Sequence, residues 1–201
     1  MSLDQIDARR RFLITGAAAV AGLTLRRHNT AVAQSLPPTP QCKDGDEPTP
    51  RQTEGPFFKP SSPERFNLVE PGMAGRGLEV SGFLLNRNCQ PIVHALIDVW
   101  HADDRGEYDN RGFRLRGHVF SDAEGRYRVR TIRPAPYPGR TAHIHVKAQA
   151  PGGRILTTQL YFPDEPGNRR DSLFRRELLL QVAQTGDSLS ARFDFVLETR
   201  R

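Results

Sequence analysis

Short runs of β-branched and aromatic residues, separated by turn sequences, fill the chain from Leu78 onward. Turns such as Asp122-Ala-Glu-Gly125 supply residues that tolerate a positive φ. Strands of this length and spacing are typical of a sandwich or a barrel, so the pattern predicts an all-β fold. The predicted strands cover residues 78–85, 93–100, 113–120, 126–132, 141–149 and 154–162.

Two further elements are predicted near the C-terminus. Residues 170–183 carry a short apolar stripe that includes Leu173 and Leu178, which predicts one helix. Residues 189–197 alternate between apolar and polar side chains with a period of two, which predicts a final half-buried strand.

The segment before the strands is rich in proline. Eight prolines between Pro37 and Pro63 exclude regular helix and central strand, because proline lacks a backbone donor. We therefore predict an extended arm over residues 34–77, followed by one β-sandwich domain over residues 78–201.

The first 33 residues have the features of an export signal. Three arginines, Arg9 to Arg11, precede an apolar run over residues 14–25 that is too short to span a bilayer as a mature helix. The pattern resembles a twin-arginine signal, and Ala33 ends a small-residue cleavage site. The prediction is export to the periplasm or the medium, with cleavage after Ala33 and no stable membrane insertion. The alternative is a buried or amphipathic N-terminal helix.

The basic character of the chain does not indicate a nucleic-acid partner. The formal net charge is +6, and half of it lies in residues 1–33. Nucleic-acid binding favours clustered basic residues with stacking aromatics, so we expect none. The two cysteines, Cys42 and Cys89, allow one disulfide in an oxidising compartment, and two unpaired thiols remain the alternative.

Two histidines provide the first chemical signal. His143 and His145 stand two residues apart in a predicted strand and therefore point to the same face. Two imidazoles alone do not complete a metal site, and a pair of surface histidines is the plainer alternative. Two tyrosines are further candidates. Tyr108 lies in the loop after the predicted strand over residues 93–100, and Tyr137 lies between two prolines just before the histidine strand.

Several ordered motifs resemble the intradiol ring-cleavage dioxygenases, a family of non-haem iron(III) enzymes. The resemblance covers nearly the whole chain after the export signal. The matching segments are Thr53-Glu-Gly-Pro-Phe57, Asp98-Val-Trp100, Gly106-Glu-Tyr108, Asp122 through Tyr127, Thr131 through Pro134, Tyr137 through His145, and Gln159 through Phe162. The resemblance implies a prealbumin-like β-sandwich.

The resemblance implies a ligand set and a reaction. Tyr108, Tyr137, His143 and His145 would bind Fe(III), with Arg140 and Gln159 beside a catechol-type substrate. Reaction with O₂ would open the ring to a cis,cis-muconate-type diacid, and Tyr137 would leave the iron when the substrate binds. Phenolate oxygens are hard anionic donors, which suits a ferric ion.

The sequence departs from the family in two places. The segment between Tyr137 and Arg140 is short, which predicts a wide entrance to the site, and Phe58 replaces a tyrosine of the arm motif. Two other functions remain open: a non-catalytic prealbumin-like binding module, and a zinc or copper site on the same fold. The sequence is also compatible with a homo-oligomer.

Overall fold

The computed structural model describes residues 47–199, which form a sandwich of two β-sheets. Two short 3₁₀ turns, Pro166–Arg169 and Arg176–Leu178, lie between the sixth and seventh strands. The nine strands within the described residues are β1 (Gly77–Asn86), β2 (Leu96–Trp100), β3 (Arg116–Phe120), β4 (Arg126–Ile132), β5 (His143–Gln149), β6 (Leu156–Tyr161), β7 (Gln181–Thr185), β8 (Ser188–Arg192) and β9 (Phe195–Leu197).

One sheet has the order β4-β1-β8-β7, with β9 also pairing with β1, and the other has the order β3-β2-β5-β6. The central strand β1 alternates between buried and half-buried residues, as expected for a strand with one face toward a core. Buried side chains such as Val80, Ile97 and Ile144 fill the space between the sheets. The predicted all-β sandwich is confirmed.

The predicted final strand is divided in two. Strand β8 pairs with β1 at residues 78–81, and β9 pairs with it again at residues 84–86. Between these pairings the Phe193 carbonyl approaches Gly82 so closely that a Cβ there would lie 1.9 Å from its oxygen. The Asp194 carboxylate accepts a hydrogen bond of 3.0 Å from the Phe83 N–H, which replaces the missing ladder bond. A glycine in β1 therefore permits this break.

The predicted helix over residues 170–183 is wrong. The segment contains the single 3₁₀ turn Arg176–Leu178 and the first residues of β7. The Leu180 N–H donates to the Tyr161 carbonyl at 2.8 Å, and Leu178 and Leu180 are buried. Hydrogen bonding along β6 and burial of alternate leucines therefore override the helical pattern of the sequence.

The described part of the predicted arm, residues 47–76, contains none of the nine strands and lies along the sandwich. The Thr49 N–H donates to the Val196 carbonyl at 3.0 Å, and the Gln52 N–H donates to the Thr157 carbonyl at 2.8 Å. These bonds attach the arm to both sheets. Within residues 47–199, no helix is long and apolar enough to cross a membrane.

Three predictions fall wholly or partly outside the described residues. They are the export signal over residues 1–33, the first part of the arm, and Cys42. Cys89 is described and lies in the turn after β1. Because Cys42 is outside the described residues, the pairing of the two cysteines stays a prediction.

Candidate metal and substrate site

The two histidines lie side by side on β5, the strand between β2 and β6. Both are almost fully buried, and their Nε2 atoms are 3.1 Å apart. The Nδ1 of His143 lies 2.7 Å from the Thr141 carbonyl, which can only accept, so Nδ1 carries the proton and Nε2 keeps its lone pair. Burial and then the charge of Arg140 lower the pKa of His143 to about 4. The His143 imidazole is therefore neutral at pH 7 and free to bind a metal.

The second imidazole is held from both sides. Trp100, its cross-strand neighbour on β2, stacks on the His145 ring with centroids 4.9 Å apart and planes 5° from parallel. On the other side the arm approaches so closely that a Cβ at Gly55, whose φ is +72°, would lie 3.3 Å from His145 Cε1. Burial, with a contribution from His143, lowers the pKa of His145 well below its usual value. Both imidazoles are thus fixed and neutral.

The loop between β2 and β3 carries Tyr108 and is braced by two carboxylates. Asp103 Oδ1 accepts from the N–H groups of Arg105 at 2.9 Å and Glu107 at 3.0 Å. Asp109 accepts from three further backbone N–H groups of the loop. These bonds outweigh burial, which acts in the opposite direction, and lower the pKa of Asp109 to about 2. The acids on either side of Tyr108 therefore shape the loop.

The arm motif packs directly on this loop. The ring of Phe57 stacks on Tyr108 with centroids 4.4 Å apart. The buried Arg116 donates to the Phe57 carbonyl at 2.6 Å and to the Asp109 carbonyl at 3.1 Å, so it joins the arm to the tyrosine loop. The Tyr108 hydroxyl is buried, and burial first, then Tyr137, raises its pKa.

Tyr137 and Arg140 are the two ends of a four-residue turn. The Arg140 N–H donates to the Tyr137 carbonyl at 2.9 Å, and the Tyr137 N–H donates back to the Arg140 carbonyl at 3.2 Å. The central residues are Pro138 and Gly139, and Gly139 has a φ of +83°. Proline followed by a glycine with positive φ is the signature of a type II turn. The local sequence therefore places the tyrosine and the arginine next to each other before β5 begins.

The two tyrosines and two histidines converge on one point of the fold. Ring centroids are 5.8 Å apart for Tyr108 and Tyr137, 5.6 Å for Tyr137 and His143, and 6.1 Å for Tyr108 and His145. The sequence placed these side chains on three segments, and the tertiary structure brings all four together.

This donor set fits a trivalent metal ion. The Tyr108 hydroxyl is buried and has no hydrogen-bond partner among residues 47–199. The lone pair on His143 Nε2 faces His145 Nε2, an arrangement that a shared cation would stabilise. Within the same residues no group of three or more His, Cys, Asp or Glu could hold a metal, so a complete site here depends on the tyrosines. Two phenol oxygens and two imidazoles suit Fe(III) better than a softer ion.

Arg140 and Gln159 form a connected network beside the donors. Gln159 is fully buried on β6, directly opposite His145, and its Oε1 accepts from the Arg140 guanidinium. The Gln159 Nε2 donates to the Thr53 carbonyl of the arm at 2.9 Å. The arm motif, β6 and the Tyr137–Arg140 turn are thereby linked through one amide.

A carboxylate that the sequence analysis missed orients Arg140. Asp171 Oδ2 accepts from Arg140 Nε at 2.9 Å and from the Thr141 N–H at 3.0 Å. The Asp171 side chain is 1% exposed, and although burial raises its pKa, hydrogen bonds from Leu173 and Arg140 lower it overall. Asp171 therefore stays ionised and fixes the guanidinium. It lies in the segment predicted to be helical, and no local sequence pattern pointed to it.

Two other buried polar residues near the site were also missed. The Tyr161 hydroxyl lies 3.0 Å from Gln159 Oε1, and burial raises its pKa to about 12. His101 lies at the end of β2, where its Nε2 is 2.7 Å from Thr131 Oγ1. Burial lowers the pKa of His101 to about 4, so its ring is neutral. The predicted strand over residues 93–100, directly before His101, was the available signal, but the end of a strand does not reveal which side chains turn inward.

Comparison with known proteins agrees with this geometry. A family model described as "Dioxygenase" matches residues 53–199, which is more than half of the chain. The chain belongs to the intradiol ring-cleavage dioxygenase family. All of the family segments noted above, from the arm motif through β6, lie within the matched range.

Relatives of this family member include catechol 1,2-dioxygenase from Acinetobacter baylyi, which is 31% identical over 147 residues. The match covers 59% of this chain and 47% of the relative. The protocatechuate 3,4-dioxygenase beta chain from Burkholderia cepacia is 32% identical over 67% of this chain and 70% of its own length. The chain spans about half the length of the first catechol and hydroxyquinol 1,2-dioxygenases that it matches.

Solved structures of the family are also similar. The dioxygenase domain of a dioxygenase carbohydrate-binding protein fusion from Streptomyces sp. SirexAA-E is 52% identical, with a TM-score of 0.75. The match covers 77% of this chain and all of that domain. The 3-chlorocatechol 1,2-dioxygenase of Rhodococcus opacus 1CP is 28% identical, with a TM-score of 0.70 over 76% of this chain and 74% of that chain.

Proposed function

We propose that the protein cleaves a catechol-type aromatic diol between its two hydroxyl-bearing carbons with O₂ at a non-haem Fe(III) centre. Both oxygen atoms enter the organic product, so catechol and O₂ together account for every atom of a cis,cis-muconate-type diacid. The observation that supports this proposal is the convergence of two tyrosines and two histidines at one buried point. Catechol 1,2-dioxygenases among the relatives support the same class of reaction.

Tyr108, Tyr137, His143 and His145 would hold the iron. When bound, ferric iron would supply a Lewis acid that makes the ring of the diol reactive toward O₂. The chain contributes two imidazoles that are already neutral, so no proton has to leave His143 or His145 before metal binds. The phenol protons of Tyr108 and Tyr137 must leave instead, which a trivalent cation promotes.

Tyr137 is the better placed of the two tyrosines to move a proton. It is half-buried in a turn that faces a cavity, whereas Tyr108 is stacked under Phe57 in a braced loop. A catechol must lose two protons to bind as a dianion, and the Tyr137 phenolate oxygen can accept one of them. We therefore assign Tyr137 as the tyrosine that would take a substrate proton, while Tyr108 would stay in place.

Arg140 would act on the substrate. Its guanidinium is held by Asp171 and Gln159 in a fixed orientation beside Tyr137, so it needs no reorganisation as negative charge develops on the ring. A planar cation with several donors suits an enolate-like oxygen. Gln159 would position Arg140 and connect it to the arm through Thr53.

Three measurements on purified protein test this function. We expect about one iron per chain, a broad visible absorption from ferric tyrosinate, and catechol-dependent O₂ uptake that yields a ring-opened diacid. Colourless protein without metal would favour the binding-module alternative, and stoichiometric zinc or copper without O₂ uptake would favour the other metal site. Either result would overturn the proposal.

We also propose that the protein acts outside the cytoplasm, with Cys42 and Cys89 bridged, because residues 9–33 resemble a twin-arginine signal. Secreted protein should begin at Gln34 and show no titratable thiol after denaturation. N-terminal sequencing of protein from the culture medium or periplasm, together with a thiol assay, checks both points. An intact N-terminus in the cytoplasm, or two free thiols, would contradict them.

A further inference from the structure

A cavity of about 230 Å³ opens beside the Tyr137–Arg140 turn. Tyr137 is the one proposed iron ligand in its wall, so the cavity lies next to the donor cluster and not within it. The lining residues are Tyr137, Gly139, Arg140, Thr141, Gly167, Arg170 and Asp171.

The short turn leaves this cavity open. Gly139 contributes no side chain, and nothing lies within 4 Å of the place where its Cβ would be. The opposite wall comes from the 3₁₀ turn Pro166–Arg169 and the two residues after it. A substituent on a ring held near Tyr137 and Arg140 would therefore have space to extend between these two turns.

The cavity carries one positive charge that is not neutralised. Arg140 is paired with Asp171, the one acidic residue among those that line the cavity. Arg170 is exposed, and its guanidinium makes no hydrogen bond or ion pair with any residue in 47–199. The Arg170 guanidinium is therefore available to pair with an anionic group in the cavity. Its parallel N–H donors match the two oxygens of a carboxylate.

We propose that the cavity binds a carboxylate on a short chain attached to the catechol ring, with Arg170 as the side chain that recognises it. This inference rests on the proposed ring cleavage. A chain between ring and carboxylate is needed because Arg170 lies at the exposed rim, while Tyr137 and Arg140 lie deeper and half-buried. The substrate class is therefore an anionic catechol whose charge is separated from the ring.

The test compares 3-(3,4-dihydroxyphenyl)propanoate with its uncharged methyl ester on the iron-containing protein. For wild type and Arg170→Ala, kcat/KM is measured for both compounds by O₂ uptake, and anaerobic affinity is measured by fluorescence of the single tryptophan. Arg169→Ala is the matched control, because Arg169 is the adjacent exposed arginine and does not line the cavity.

In Arg170→Ala the acid-to-ester ratio of kcat/KM and of affinity should fall about tenfold to a hundredfold, the range expected when one charge-assisted hydrogen bond is lost. Arg169→Ala should leave both ratios unchanged. For 3,4-dihydroxybenzoate, whose carboxylate is attached directly to the ring, the ratio to its own ester should change less.

The outcomes separate this inference from the proposed function. Normal turnover with an unchanged acid-to-ester ratio in Arg170→Ala would overturn the anion site and leave ring cleavage intact. Absence of turnover with a lower affinity ratio in Arg170→Ala would overturn ring cleavage and support the anion site. An equal effect of Arg169→Ala, or an equal change for 3,4-dihydroxybenzoate, would also overturn the inference as stated.

Discussion

Replacing Asp171 with asparagine removes the charge that orients Arg140. Asp171 accepts three hydrogen bonds, from Arg140 Nε, the Thr141 N–H and the Leu173 N–H. An amide has one oxygen, so at least one of these buried donors would face an NH₂ group and lose its acceptor. The change therefore leaves both a guanidinium without its counter-charge and an unsatisfied donor.

The size of the effect follows from burial. The side chains of Arg140 and Asp171 are 14% and 1% exposed, and breaking such a pair costs about 3 to 5 kcal/mol. With a urea slope of about 2 kcal/mol/M, the unfolding midpoint should fall by about 1.5 to 2.5 M. Turnover should fall by about 10² to 10³, because Arg140 would no longer be preorganised.

A matched control separates this site from ordinary surface charge. Asp164 pairs with Arg133 at 2.9 Å, but its side chain is 66% exposed, so Asp164→Asn should cost less than about 1 kcal/mol and keep turnover. Urea denaturation and catechol-dependent O₂ uptake on both variants decide the matter. If Asp171→Asn matched Asp164→Asn in both midpoint and turnover, the assignment of Asp171 as the group that holds Arg140 would be refuted.

Three further predictions concern the donors and the segments around them. Arg140→Ala should keep iron and colour but lose turnover by about 10² to 10³, whereas His143→Ala should lose iron itself, as metal analysis and O₂ uptake will show. Asp109 has a folded pKa of about 2, which is below its unfolded value of about 3.9, so its contribution to stability is present above pH 4 and is lost as the pH falls toward 2. The difference in unfolding free energy between wild type and Asp109→Asn should therefore become smaller over that pH range. Gly55→Ala should lower both stability and iron retention, because its Cβ would crowd the His145 imidazole. Gly152→Ala has a similar positive φ but no neighbour within 4 Å, so it should lower only stability.

The strands and the helix near the C-terminus were predicted with different success. All six strands predicted between residues 78 and 162 have a counterpart within a few residues, because alternation and turn residues are local properties of the chain. The helix over 170–183 was wrong, since its leucines satisfied a helical spacing but are buried by pairing along β6. Short apolar segments in a β-protein are decided by their neighbours, which the local pattern does not contain.

What the sequence determined by itself is local. The spacing of His143 and His145 puts both on the same face of β5, and the Pro138-Gly139 turn places Tyr137 beside Arg140. Only the tertiary structure decided that the Tyr108 loop, this turn and β5 meet, that the arm covers His145, and that Asp171 holds Arg140. Those contacts join residues far apart in the chain, and they depend on how two sheets and an extended arm pack. Hydrogen bonds and burial between distant segments have no periodic signature, so they had to be read from the folded chain.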